Sequence, residues 1–436
     1  MEAVDILVTN GTILTMDASG QVIENGAVAI KGDQIVDLGK AAEFEEIEAA
    51  ERIDARGGLV MPGLVNTHTH AAMTCFRGLA DDLPLMTWLN DHIFPAEAKL
   101  DARMVYHGTL LACAEMIESG ITCFCDMYLF EGAVAEAAKA AGMRAVVGEV
   151  LYDFPSPHYG PIEAGFTYTE SLIKTWREDP LITIAVEPHS PYLCSADLLQ
   201  KAAAISQVHG VPLVIHVSET ENEVKKSLAE KGRSPVAYLA DLGVLSRRLL
   251  ACHCVALKEG DIDLLKHFDV KVAHNPESNM KLASGIAPVP EMIEAGVCVG
   301  LGTDGCASNN NLDLFSEMDT AAKLHKVNRL DPTVMDARTV TAMATIGGAR
   351  ALGLDDITGS LEKGKQADLI VVDLNKPHLT PMYAPVSHLV YAVKADDVTT
   401  SIINGRIVMR DRELVSIDRD AVLFKMEQIS RTIRKG

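Results

Sequence analysis

From about residue 60 to residue 360 the chain alternates short apolar runs with Ala-rich stretches of helical spacing, and this rhythm limits the possible folds more than any other feature. Candidate strands fall at 59–65, 121–126, 144–150, 183–188, 213–217, 249–254, 271–274 and 297–302, and stretches such as 133–141 and 196–208 read as helices between them. A (β/α)8 TIM-like barrel needs eight such strands. An open doubly wound sheet is the alternative, but it would leave the first and last strands apart.

On either side of this region the texture changes. Residues 5–60 carry short alternating segments at 6–8, 12–14, 27–30 and 34–36, broken by Gly and Asn-Gly turns. After residue 360 short strands return at 368–372 and 400–403, the second followed by Asn404 and Gly405 as a hairpin turn. The simplest assembly makes one small β-sandwich from 1–59 plus 361–436, flanking a barrel at 60–360.

Composition narrows the function classes. A chain of 436 residues with 48% hydrophobic and 23% charged residues is that of an ordinary globular protein. A formal charge of -21 opposes binding to nucleic acid or to an anionic membrane surface. No apolar run approaches the roughly 18 residues of a membrane-spanning helix, and residues 1–5 lack the basic and apolar regions of a signal peptide. The expectation is a cytoplasmic protein. Its nine cysteines contain no Cys-x-x-Cys pair and read as small buried hydrophobes, not as a zinc finger or disulfide scaffold.

The polar residues at the strand ends carry the chemistry. His68 and His70 stand two apart on the first strand, so both imidazoles share a face. His189 follows the fourth strand, His216 lies on the fifth, His253 on the sixth, and Asp304 follows the eighth. One such histidine is more often a hydrogen-bonded core residue than a ligand; a succession of them at barrel strand ends is a site. His68, His70, His216 and Asp304 would hold one divalent metal, zinc or ferrous iron. Glu219, three residues past His216, is either a first-turn carboxylate complementing a helix dipole or a proton shuttle beside the metal. The fourth strand ends in Glu187, with no lysine to bridge a second metal, which favours a mononuclear site.

Three motifs invite other readings. Residues 300–305 fit Gly-x-Gly-x-x-Gly, but they close the α/β run instead of opening a βαβ unit. Residues 359–365 fit the start of a phosphate loop, yet Gln366 replaces the hydroxyl residue and a strand follows. Asn10-Gly11-Thr12 matches a glycosylation acceptor and reads as a turn.

With these residues in view the chain resembles the amidohydrolase superfamily. The resemblance is carried by 61–70, His216-Val217-Ser218-Glu219, His253-Cys254-Val255, His274-Asn275-Pro276-Glu277-Ser278-Asn279 and Gly302-Thr303-Asp304-Gly305. Within it the chain is most similar to the 5-methylthioadenosine/S-adenosylhomocysteine deaminases and their chlorohydrolase relatives, through Thr87-Trp88-Leu89, Phe94-Pro95-Ala96-Glu97 and Glu187-Pro188-His189. The resemblance implies that Glu97 binds ribose hydroxyls and that His189 contacts substrate, with Trp88 either covering the sugar or base or simply packed. It further implies hydrolytic deamination at C6 of an adenine nucleoside, releasing ammonia and the inosine analogue. Asp304 would accept a proton, Glu219 would protonate the ring nitrogen, and His253 would orient the attacking oxygen, with Glu219 and Asp304 touching substrate. The segment 148–160 departs from the arginine-bearing pattern of members that read longer tails, which favours methylthioadenosine or adenosine over S-adenosylhomocysteine. A deaminase of guanine, cytosine or a pterin, a triazine chlorohydrolase and a non-catalytic structural relative are the other readings. The expected partner is a small nucleoside, and a homo-oligomer is possible.

Overall fold

The computed structural model describes residues 3–83 and 87–434, so the first two residues of the stretch 1–5 lie outside it. The flanking unit is a nine-stranded sheet drawn from both ends of the chain. Its central junction is the strand Leu59–Pro62, which runs antiparallel to Leu369–Val372 on one side and parallel to Val4–Leu14 on the other. Side chains alternating from these strands and from Val22–Lys31, among them Ile6, Val8, Ile13, Val28, Leu369 and Val371, share one apolar core. The edge strand Gln34–Lys40 meets the chain again at Gln366, just before Leu369–Val372, so the sheet curls back toward its own middle.

Two Asn-Gly pairs in this unit behave differently. Asn404 and Gly405, with φ of 50° and 70°, form the expected tight turn between Val398–Ile403 and Arg406–Arg410. Asn10 and Gly11, read from sequence as a turn, instead form a bulge inside the single strand Val4–Leu14, where the register against Val22–Lys31 shifts. Asn10 takes φ 58° and bonds Asp54, and the strand continues past it.

The barrel begins one element later than the sequence suggests. The apolar run 59–65 is two strands, Leu59–Pro62 in the flanking sheet and Leu64–Thr69 in the barrel. The break falls at Gly63, where any Cβ would lie 2.1 Å from Thr122, so only glycine lets the chain cross between sheets there. Parallel pairing then links Leu64–Thr69, Ile121–Tyr128, Arg144–Leu151 and a fourth strand split into Ile182–Ile184 and Glu187–Pro188. A second parallel set comprises Leu213–Val217, Leu249–His253, Lys271–His274 and Val299–Leu301. The halves meet at Val186 and Leu213 on one side. On the other, Thr67 Oγ1 donates to Leu301 O (2.8 Å) and the Asp304 amide donates to His68 O (2.9 Å), closing the eighth strand onto the first.

That closure explains the glycines of 300–305. A Cβ on Gly300 would press on Thr67, on Gly302 it would come within 2.8 Å of the His68 backbone, and on Gly305 it would strike Met73 and His70. They serve close strand contact, and no helix starts directly after them; the next is Leu314–Arg329.

Helices cover the barrel. Glu131–Ala141 ends at Gly142 in the left-handed conformation, and Ala196–His209 is capped by Ser195 and ended by Gly210. The carboxy-terminal helix Arg419–Arg434 packs Val422, Met426, Ile429 and Ile433 into the barrel's apolar core. A buried ion pair between Arg144 on the third barrel strand and Asp368 (2.7 Å) ties barrel to flank. Among the described residues no helix is long and apolar enough to cross a membrane.

Candidate active site

At the carboxy-terminal mouth of the barrel, one nitrogen each from His68, His70 and His216 lie within 4.8 Å of one another. His68 and His70 come from alternate positions of Leu64–Thr69 and the residue after it, and His216 from the fifth strand across the barrel. Asp304 stands on the side of the first two, its Oδ1 3.6 Å from His68 Nε2 and 3.2 Å from His70 Nε2. The four predicted metal residues thus converge, with Asp304 touching two of the three imidazoles.

The tautomers are set from behind. His70 Nδ1 faces Met127 O and His216 Nδ1 faces His189 O (2.8 Å); each carbonyl can only accept, so each Nδ1 carries a proton and Nε2 is the nitrogen left to face the cluster. The Nε2 of His68 is wholly buried and has no hydrogen-bond partner. Burial together with neighbouring imidazoles holds His68 and His216 well below the ordinary histidine range, in the neutral form that ligates metals. His70 differs: burial opposes its protonation, but its bond to Asp304 and the charges of Asp304 and Asp126 raise it to about 9. A divalent cation would replace the proton shared by His70 and Asp304 and satisfy the orphaned His68 nitrogen. The donor set suits one divalent metal ion, and it is the one group of this kind among the described residues.

Asp304 is tightly aimed. Its Oδ2 accepts from Ser278 (2.6 Å) and Ser308 (3.0 Å) and its Oδ1 from the Gly305 amide (2.8 Å). Burial opposes its ionisation, yet the bond to His70 and the surrounding imidazoles hold its carboxyl well below the usual range. His253 Nδ1 lies 3.0 Å from Asn279 Oδ1 and 3.3 Å from Asn275 Nδ2, so two amides fix its ring, whose centroid lies 5.5 Å from that of His216. Ser218, His253, Cys254 and Asp304 all take positive φ, of 53°, 74°, 48° and 60°. Four non-glycine residues in that region at strand ends mark backbone held against its preference where the chain turns toward the mouth.

Glu219 sits at one such turn. The Ser218 and Glu219 amides both donate to Glu223 (3.0 and 2.8 Å), fixing the backbone that presents the Glu219 side chain. Burial raises the Glu219 carboxyl, while His253 draws it back down, as suits a group that holds and gives up a proton. His189 rings His216 at 4.8 Å, and burial and the nearby imidazoles push it to about 3, so it is neutral.

Glu97 ends a four-residue helix, Phe94–Glu97, entered from the π-helical turn Trp88–Ile93. Its Oε1 accepts from Tyr128 OH (2.7 Å), and burial raises it to about 7. Tyr128 ends the second strand, with its ring 6.0 Å from His70, so this pair reaches the edge of the histidine cluster. Trp88 is buried in the core with its indole N–H bonded to Ala80 O (3.1 Å).

Several residues at the site were given no role in it by the sequence alone. Tyr128, Ser278, Ser308, Asn279 and Glu223 each hold a predicted residue in place. Asp126, Glu131, Glu149 and Glu187 are wholly buried around strands two to four. An acidic residue inside an apolar strand run was the available signal for three of these four.

Three relatives bear on the site. The chain is 61% identical over 431 residues to a Syntrophobacter fumaroxidans protein named 5-methylthioadenosine/S-adenosylhomocysteine deaminase, covering 99% of this chain and 98% of that one. It is 48% identical to a 5'-deoxyadenosine deaminase of Methanosarcina acetivorans, over 96% of each. Its fold superposes on a zinc-bound adenosine deaminase from Xanthomonas campestris with a TM-score of 0.98 at 40% identity, covering 100% of both chains. The model of the amidohydrolase family matches residues 59–408. With its barrel, its strand-end histidines and these likenesses, the chain belongs to the amidohydrolase family.

Proposed function

We propose that this protein is a metal-dependent hydrolase that deaminates adenine nucleosides at C6, with 5-methylthioadenosine, 5'-deoxyadenosine or adenosine as substrate. The observation that carries the reading is the convergence of His68, His70 and His216 beside an Asp304 carboxylate aimed by two serines. The 61% identical relative named for two adenine nucleosides supports the substrate class. Zinc is the metal of choice, on the three imidazoles and carboxylate and on the zinc in the Xanthomonas structure. His68, His70, His216 and Asp304 would hold it. When bound, it supplies Lewis acidity and lowers the pKa of a water toward neutrality.

The residues of the chain do the rest. Asp304, held by Ser278 and Ser308, accepts the proton lost by the attacking water. Glu219 gives its proton to a ring nitrogen, which makes C6 electrophilic; the proton held by Asp304 then passes to the exocyclic amine, which leaves as ammonia, while Glu219 recovers its proton from the C6 hydroxyl as the carbonyl forms. One C–O bond forms, one C–N bond breaks, and the product is the inosine analogue. His253 offers Nε2 toward the reacting carbon's oxygen, its ring fixed by Asn279. Glu97 accepts hydrogen bonds from ribose hydroxyls, and neutral His189 contacts the bound nucleoside. The nine cysteines, none in a disulfide, suit a reducing cytoplasm.

Purified protein given 5-methylthioadenosine should lose absorbance at the adenine band and release one ammonia per turnover, and chelation should stop both. Turnover of guanine or release of chloride from a triazine, with adenine nucleosides inert, would replace this reading with another of the same fold.

A further inference from the structure

The three imidazoles of the metal cluster are not anchored alike. Carbonyl oxygens stand behind His70 and His216, and the side-chain amides of Asn279 and Asn275 stand behind His253. Behind His68 stands a thiol: Cys252 Sγ lies 3.3 Å from His68 Nδ1, both side chains wholly buried. Cys252 is brought there by register, since it pairs with His216 across the fifth and sixth strands.

A carbonyl fixes its histidine's tautomer because it can only accept. A thiol both donates and accepts, and does each weakly. For His68 Nε2 to present a lone pair, Nδ1 must carry the proton and give it to sulfur. We infer that Cys252 is the positioning residue for His68, its sulfur accepting the Nδ1–H so that the orphaned Nε2 faces the metal. His68 is then the most loosely fixed of the three imidazole ligands, and the sulfur sets how tightly the site holds its ion.

This inference rests on the metal assignment under the proposed function, and one experiment separates the two. Zinc affinity is measured by competition with a chromophoric chelator for wild type, Cys252→Ala, Cys252→Ser and, as control, Cys298→Ala, which removes a half-buried thiol bonded to a backbone carbonyl (Gly347 O, 3.6 Å) just before the eighth strand. Thermal unfolding of each metal-free protein reports on packing. Cys252→Ala should weaken zinc roughly 10–100-fold, the usual cost of losing the partner behind a ligating histidine. Cys252→Ser, which restores an acceptor, should recover most of that loss, and Cys298→Ala should match wild type. Equal zinc affinity in wild type and Cys252→Ala overturns the inference while leaving the metal site intact. A serine variant as weak as the alanine one overturns it too, since the sulfur would then act by bulk alone. A wild-type protein that takes up no zinc overturns both readings.

Discussion

The proposed chemical end and the proposed recognition end of the site are built by different means. His68, His70, His216 and Asp304 stand on barrel strands or within a few residues of them, and the hydrogen bonds behind them come from other strands, the residues just after them and the short helix Pro276–Lys281 that follows the seventh strand. Glu97 stands on a four-residue helix in the long connection after the first strand, held to the frame by Tyr128. The first arrangement can change only if the barrel does. The second can change with one connection, which is how a fixed reaction is fitted to different substrates within one fold.

Breaking the chemical end should give the largest effects. Asp304→Asn should lose metal and turnover together; retention of zinc and of turnover within tenfold of wild type would remove the carboxylate from the proposed ligand set. Glu219→Gln should keep full metal content and lose roughly 10²–10⁴ in kcat. An unchanged kcat in that variant would leave the proton work without an owner.

The recognition end should respond more gently. Glu97→Gln should cut kcat/KM by about 10–100-fold, the scale of hydrogen bonds to a charged group, mostly through KM, with deoxyribose analogues losing less. Equal losses on ribose and deoxyribose substrates would detach Glu97 from the sugar. Burial raises its carboxyl from 4.5 to about 7, so the folded state binds the extra proton and stability falls as pH rises through that window. KM should rise as pH drops below about 7, and Glu97→Gln should flatten both trends. Tyr128→Phe is the smallest change: removing one hydrogen bond should cost about 1 kcal/mol in kcat/KM. Because that bond lowers the Glu97 carboxyl, its loss should also move the KM profile to higher pH.

The same contrast explains what the sequence made legible. Strand-borne ligands show themselves through period and position, because an apolar run ending in a histidine is a local pattern. Glu97 has no such pattern around it and was found by resemblance alone. Cys252, Ser278 and Ser308 look like ordinary small residues until other strands bring imidazoles and a carboxylate to them. The run 59–65 read as one strand because its apolar character does not lapse at Gly63; the strand's change of sheet depends on how close Thr122 comes. The two Asn-Gly pairs carry the sharpest lesson. At 404–405 both residues take positive φ and the chain reverses, whereas at 10–11 only Asn10 does and a partner strand long enough to continue past it keeps the chain extended.

The closure between the eighth strand and the first bears on how the protein comes into being. Thr69 and Asp304 are joined by a hydrogen bond although 235 residues separate them. A ribosome therefore releases the two amino-terminal histidines long before the carboxylate that faces them, and the proposed ligand set is complete only once the final barrel strand has emerged. Capture by the full proposed ligand set would follow assembly, and an ion so bound, held by both margins of the seam, would act as a clasp that withholds the barrel from local opening.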